Sequence, residues 1–232
     1  MKRTGAILAF LLLLPVFSAP ADDDGRAARD AMVRTQIEAR GIRDPATLAA
    51  MRVVPRHRFV PPDLADSAYA DQPLPIGYGQ TISQPYIVAV MTETLRLKPG
   101  HKVLEIGAGS GYQAAVLARI VREVFTIEIV PELGNAARER LKTLGYRNVR
   151  VRVADGYDGW PEEAPFDAIV VTAAADHIPP PLIRQLRDGG RMVIPVGSPF
   201  FVQTLMLVEK DRGKVRTTSL MPVRFVPFTR RR

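Results

Sequence analysis

The sequence predicts an α/β fold: a doubly wound, mostly parallel sheet with antiparallel strands in its C-terminal part. Three observations predict it. From residue 102 to residue 196, short apolar runs alternate with helical patterns. One of those runs, Val103-Leu104-Glu105-Ile106, leads straight into Gly107-Ala108-Gly109-Ser110-Gly111 and then into an apolar helical pattern. A strand must turn sharply there, on a backbone that lets something come very close. After Val196 the helical patterns stop while strand-like runs continue, which favours antiparallel pairing.

The elements follow in order. Residues 27–50 are helical, with Met32, Val33, Ile37 and Leu48 as apolar positions and Gly41-Ile42 as a break. Val54 to Pro62 is a loop with two proline clusters, and Asp71 to Gly79 is a second loop rich in proline and glycine. Thr81 to Leu97 begins polar and becomes helical, with Pro85 in its first turn. The sheet begins at Lys102. Val124 to Glu128 is the next strand. Val149, Val151 and Val153 alternate with arginines, as on an edge strand with one buried face. Phe166 to Val171 is nearly all apolar, as in a central parallel strand. A helix ending at Gly189-Gly190 precedes the strand Arg191–Val196, and Thr204–Val208 and Val215–Phe225 complete the β-rich end. This organisation is a single domain over residues 27–228, with a covering segment at 27–97 and a sheet core at 102–228.

Bulk composition narrows the chemistry. The chain has 232 residues, 47% of them hydrophobic, enough for one α/β core. It has no cysteine, which excludes disulfides, thiolate metal sites and cysteine nucleophiles. His57, His101 and His177 are far apart and show no ligand spacing, so no metal is expected. The net charge of +8 permits acidic partners. Its arginines are nevertheless scattered without aromatic interleaving, and Arg230-Arg231-Arg232 reads as a solvated tail. No stable nucleic-acid partner is expected, and a monomer is. Lys2 and Arg3 precede an apolar stretch, Gly5 to Phe17, and then Ala19-Pro20-Ala21. That is the layout of a secretory leader over residues 1–21, too short for a membrane span of about 20 apolar residues. The alternative is a retained apolar extension. Met91, Met192 and Met206 read as core filler, and Trp160 as packing at the domain edge.

The glycine run carries the chemistry. Its GxGxG spacing departs from the GxGxxG of dinucleotide sites, where a helix N-terminus faces a pyrophosphate. Glu105, just before the first glycine, is a poor neighbour for phosphate and a better one for a cation. S-adenosylmethionine carries both an ammonium and a sulfonium, so the pattern points to a Rossmann-like methyltransferase fold binding that cofactor. Glu128 ends the second strand 17 residues beyond Gly111, where an acid can accept hydrogen bonds from ribose hydroxyls. Asp155-Gly156 ends the third, where the adenine would lie. A turn without a ligand, a solvated strand-end carboxylate and a turn aspartate are the plain alternatives for the three. Their occurrence at successive strand ends favours the cofactor.

The resemblance lies in longer blocks. These are MVRTQIEARGIRD (Met32–Asp44), VPRHRFVPP (Val54–Pro62), LPIGYGQTISQPYIVAVMTE (Leu74–Glu93), VLEIGAGSGYQ (Val103–Gln113), DGYDGWPEEAPFDAIVVTAA (Asp155–Ala174) and GGRMVIPVG (Gly189–Gly197). In order and spacing they resemble the protein-L-isoaspartate O-methyltransferases over roughly residues 30–228. GQTISQP is the most specific block. The resemblance implies methyl transfer from S-adenosylmethionine to the free α-carboxylate of L-isoaspartyl residues in damaged proteins and peptides. It implies Ser83 as the catalytic residue. It implies cofactor contacts at Glu105, Gly107, Gly109 and Gly111, a ribose-binding acid at Glu128, and an adenine-side acid at Asp155. The leader-like residues 1–25 depart from the family, whose members typically lack one. Family and cofactor supply imply the cytoplasm, while the leader implies export.

This chemistry agrees with the residues. An isoaspartyl carboxylate is already ionised at neutral pH, so no general base is required. The enzyme must align nucleophile, methyl and leaving sulfur, and exclude water. Ser83 can donate to one carboxylate oxygen and leave the other aimed at the methyl, while Thr81 and Gln84 can hold the substrate backbone. Ser83 is equally placed to be a helix N-cap before Pro85. Two other functions stay open: methyl transfer to RNA, and an exported binding protein that kept the fold without the catalysis.

Overall fold

The computed structural model describes residues 25–198 and 200–230. The expected leader at residues 1–21 lies outside them. No helix among the described residues is long and apolar enough to cross a membrane.

Helices α1 (Arg26–Met32) and α2 (Pro45–Val53) open the chain, joined by a π-helical turn at Val33–Ile37 and a 3₁₀ turn at Glu38–Arg40. The sequence sets the start of α2: Pro45 occupies the first turn, and the Asp44 carboxylate accepts from the Thr47 backbone N–H at 2.8 Å and its hydroxyl at 2.6 Å. Further along, β1 (Leu74–Gly77) and β2 (Gln80–Ile82) form a hairpin, followed by α3 (Pro85–Thr94). The main elements then alternate: β3 (Lys102–Ile106), α4 (Tyr112–Ala118), β4 (Glu123–Glu128), α5 (Pro131–Thr143), β5 (Val149–Val153), β6 (Phe166–Val171), α6 (Pro180–Gln185), β7 (Leu186–Val196), β8 (Gln203–Asp211) and β9 (Lys214–Val223).

Seven strands form one sheet in the order β5-β4-β3-β6-β7-β8-β9. The first five are parallel, and β8 and β9 add antiparallel. The valine–arginine strand is the edge strand β5, and the nearly all-apolar strand is β6 at the centre, as their compositions require. Side chains of the central strands alternate between two buried layers. Val103, Val124 and Val170 pack with α2, α3 and α4, while Leu104, Phe125 and Ile169 pack with α6 and Trp160 on the other face. Trp160 meets Phe125 edge to face at 5.3 Å.

Two expectations need correction. The loop expected at 71–79 contains β1, whose two-residue turn Tyr78-Gly79 holds both residues at positive φ, 53° and 68°. That geometry matches the right-handed twist of a hairpin. The helix expected within 81–97 with Pro85 in its first turn runs from Pro85 to Thr94. The helix expected to end at Gly189-Gly190 stops at Gln185, and β7 runs through both glycines. A Cβ on Gly190 would lie 3.0 Å from the Asp167 carbonyl oxygen, so the glycine permits close approach to β6.

Candidate active site

β3 is the switch point of the sheet, since the chain winds one way from it to β4 and the other way to β6. A crevice opens outside the carboxyl ends of strands at such a point. Gly107 leaves β3 at φ 96°, and a Cβ there would stand 2.4 Å from the Thr172 hydroxyl at the end of β6. That hydroxyl lies 2.7 Å from the Gly107 carbonyl oxygen and 3.0 Å from that of Ile106, and donates to them. The glycine loop and the end of β6 are therefore locked together. Gly156, after β5, is needed for closeness too: a Cβ there would lie 2.3 Å from Ile106 Cγ2.

The resulting cleft, of about 550 Å³, is lined by Gly107, Gly109, Ile127, Glu128, Gly156 and Thr172, by Gln80 and Thr81 of β2, and by the tail residues Val226 to Thr229. Glu128 is buried, and its carboxylate accepts from the Gly109 N–H at 2.7 Å and from the Val130 N–H at 3.0 Å. These bonds hold the carboxylate at the cleft with lone pairs to spare. Gly111 adjoins the cleft-forming loop as the N-terminal boundary of α4.

Three expected cofactor residues do not line the cleft: Gly111, which faces Leu141 and Ala137 of α5, Glu105 and Asp155. Glu105 is fully buried below the glycine loop, opposite Thr126 of β4, and does not line the cleft. Neither of its oxygens has a hydrogen-bond partner. Burial pushes its carboxyl up to about 8; the adjacent Thr126 hydroxyl lowers it and the Glu128 charge raises it by smaller amounts. Asp155 borders the cleft through its neighbour Gly156. Its Oδ1 accepts from the Tyr157 N–H at 3.0 Å, and its Oδ2 pairs with Arg230 at 2.9 Å. Arg230 also stacks 3.6 Å over the Tyr157 ring. Two bonds of 2.8 Å, Ala174 N–H to the Val226 carbonyl and Phe228 N–H to the Ala174 carbonyl, lay the tail along the strand ends.

A second cleft of about 1030 Å³ adjoins the first and is lined by Ser83, Gln84, Ile87, Arg40, Arg224 and Phe225 among others. Thr81, Thr172 and Val226 line both clefts, and so form the wall between them. Ser83 is half-buried and does not cap α3: Gln84 holds the N-cap position, and no side chain caps the helix. The Ser83 hydroxyl thus stays uncommitted at the junction. Gln84 donates to the Asp71 side chain at 2.8 Å and to its carbonyl at 3.1 Å, leaving its own carbonyl oxygen for a ligand. Arg40 pairs with Asp71 at 3.0 Å and stacks 3.4 Å over Tyr86. Sequence reasoning missed Arg40, Thr172, Arg224 and the tail. Arg40 and Thr172 lie inside the matched blocks, but neither residue type marks itself. No histidine lines either cleft, and among the described residues no group of three or more acids and histidines could hold a metal.

Known proteins resemble the chain along most of its length. The family profile described as protein-L-isoaspartate(D-aspartate) O-methyltransferase matches residues 27–232. A protein-L-isoaspartate O-methyltransferase 2 of Polaromonas sp. is 65% identical over 190 residues, covering 82% of this chain and 90% of the relative. A protein-L-isoaspartate O-methyltransferase of Opitutus terrae is 57% identical over 230 residues, covering 99% of both. Among solved structures, one protein-L-isoaspartate O-methyltransferase aligns with TM-score 0.78 and 30% identity, over 86% of this chain and 65% of its own. A Plasmodium falciparum protein assigned to the same activity, solved with S-adenosyl-L-homocysteine, aligns with TM-score 0.76 and 28% identity, over 87% of this chain and 98% of its own.

Proposed function

The chain belongs to the protein-L-isoaspartate(D-aspartate) O-methyltransferase family, and from that premise we propose that it is a protein-repair methyltransferase. It transfers the methyl group of S-adenosylmethionine to the free α-carboxylate of L-isoaspartyl residues in damaged proteins and peptides. The ester then returns through a succinimide to L-aspartyl. The observation that carries this reading is the pair of clefts meeting at Thr81, Thr172 and Val226 with an uncommitted serine hydroxyl beside the wall.

The residues present fit the cofactor. The backbone at Gly107, Gly109 and Gly156 lines the cleft, packed close against Thr172, Ile76 and Ile106, while Ile127 and Phe228 offer apolar contact and Glu128 presents acceptors for hydroxyl groups. Asp155 stands behind Gly156 on the adenine side. When bound, the cofactor supplies an electrophilic methyl group and a neutral leaving thioether.

The protein's own part is positional. Ser83 donates to one oxygen of the substrate carboxylate, which leaves the other directed through the gap beside Thr81 and Thr172. Thr81 and the Gln84 carbonyl steady the substrate backbone, and Arg40 and Arg224 make the second cleft attractive to a carboxylate. Val226 and its neighbours shield the junction from water. No step needs a base, because the nucleophile arrives ionised. Cofactor supply favours action in the cytoplasm; a fusion of residues 1–25 to a reporter active only outside it tests export.

The decisive experiment uses the full chain, labelled S-adenosylmethionine and one peptide in two forms, with L-isoaspartate or L-aspartate at one site. Base-labile label on the isoaspartyl form alone is the expected result. Cofactor binding without transfer to that form would refute the assignment of substrate.

A further inference from the structure

Phe200 and Phe201 are the most exposed large apolar side chains among the described residues, at 89% and 74%, and Val202 beside them is 53% exposed. Three consecutive apolar residues in water mark a contact surface more often than an idle loop. Residues 200–203, between β7 and β8, are held by specific bonds. The Phe201 N–H donates to the Ser198 carbonyl at 3.2 Å. Gln203, nearly fully buried, donates to the carbonyls of Ser198 and Phe201 at 3.0 and 2.8 Å, and accepts from the Phe225 N–H at 2.8 Å. One buried amide therefore ties the aromatic loop to the tail that walls both clefts.

The loop is also continuous with the Ser83 cleft, because Val202 lines that cleft along with Ile87, Met221 and Phe225. Its apolar wall runs out through Val202 to the two phenylalanines. An occupant is implied by the chemistry proposed above. An isoaspartyl residue sits within a polypeptide, so when its carboxylate meets Ser83 the flanking chain must leave over the rim. An extended chain advances about 3.3 Å per residue, which carries side chains two or three positions away past the rim. We infer that Phe200, Phe201 and Val202 form a platform for an apolar side chain flanking the isoaspartyl residue in an extended segment of the substrate protein. This rests on the methyl-acceptor assignment of the Ser83 cleft.

The test uses the full chain and isoaspartyl peptides of equal length, with phenylalanine, leucine or serine placed two and three residues from the isoaspartyl site on either side. The native chain is expected to show kcat/KM about tenfold higher for an apolar flank on one side, carried by KM, as partial burial of one large side chain provides. The double variant Phe200→Ser/Phe201→Ser is expected to lose that preference, with unchanged kcat on the serine-flanked peptide and unchanged cofactor affinity. Phe200→Leu/Phe201→Leu is expected to keep most of it, and an unchanged melting temperature shows that the variants fold. The platform is overturned if the serine variant keeps the preference, or loses activity equally on every peptide. It is also overturned if sedimentation finds a native dimer that the variant lacks while peptide selection stays the same. If no isoaspartyl peptide of any flank is methylated although the cofactor binds, the substrate assignment itself falls, and the platform with it.

Discussion

Replacing Glu105 by glutamine is expected to flatten the pH dependence of stability between pH 4.5 and 8. In the folded protein the carboxyl is fully buried, without a hydrogen-bond partner on either oxygen, and burial raises it from 4.5 to about 8. In the unfolded chain it ionises near its ordinary value. Between those two values the native state keeps a proton that the unfolded state has released. The unfolded state then binds fewer protons, so stability falls as pH rises. The contribution is fully present below pH 4.5 and is lost as pH passes through 8. Across that span of about 3.5 pH units, at 1.36 kcal/mol each, the loss is about 5 kcal/mol. Glutamine has nearly the same shape as the protonated acid and cannot ionise, so the variant lacks this slope. The assay is urea unfolding of both proteins at pH 5, 6, 7 and 8, taking the difference between them so that other titrating groups cancel. The native chain should lose about 1.4 kcal/mol per pH unit relative to the variant. Parallel curves would show that Glu105 is ionised and solvated in the folded state, and would refute the reasoning.

Ser83→Ala is expected to lower kcat about 10- to 100-fold, the worth of one hydrogen bond to a charged group. Cofactor affinity and melting temperature should stay the same, because Ser83 caps no helix; equal loss of cofactor binding would count against its assigned role. Gly107→Ala should cost about 2–4 kcal/mol in urea unfolding, from a positive φ and a Cβ 2.4 Å from the Thr172 hydroxyl. Adding Thr172→Ala should relieve the clash but not the backbone strain, so a double-mutant cycle separates the two. Arg230→Ala should weaken cofactor binding a few-fold by calorimetry in low salt, since Arg230 holds the tail to Asp155 and Tyr157. The pair is solvent-exposed, so the difference should shrink in high salt.

Much of the fold is legible in the sequence, because parallel strands buried on both faces leave an unmistakable apolar signature. Phe166–Val171 has that signature and sits at the sheet centre; Val149–Val153 lacks it and sits at the edge. The strand-end residues Gly107, Glu128 and Gly156 are legible for a related reason, since winding in two directions brings successive strand ends to one crevice. Legibility fails where glycine and proline mean something other than a break. The glycines flanking Tyr78 make a tight hairpin turn, and Gly190 lets two strands approach inside the sheet. The N-cap of α3 lies one residue later than a reading of Ser83 before Pro85 suggests, and that single step frees the serine hydroxyl. Asp155 and Arg230 are 75 residues apart, and only the return of the tail across the strand ends brings them together.

The wall between the two clefts draws Thr81 from a hairpin, Thr172 from the end of a central strand and Val226 from the tail. A reaction that needs a base concentrates its demands on one or two side chains. Displacement by a carboxylate already ionised at neutral pH instead needs two ligands set in line and kept dry. It is therefore natural that the site is assembled from distant segments, and that the histidines stand away from it: His57 on Tyr69, His177 on Tyr157, and His101 accepting from the Lys98 N–H. The consequence is a division of sensitivity. The sheet is held by continuous ladders and two buried layers, whereas the alignment depends on a tail held by two backbone bonds, the Phe225 N–H bond to Gln203, the packing of Phe228, and Arg230 on Asp155 and Tyr157. Loosening the tail should thus abolish turnover under conditions where the sheet remains folded.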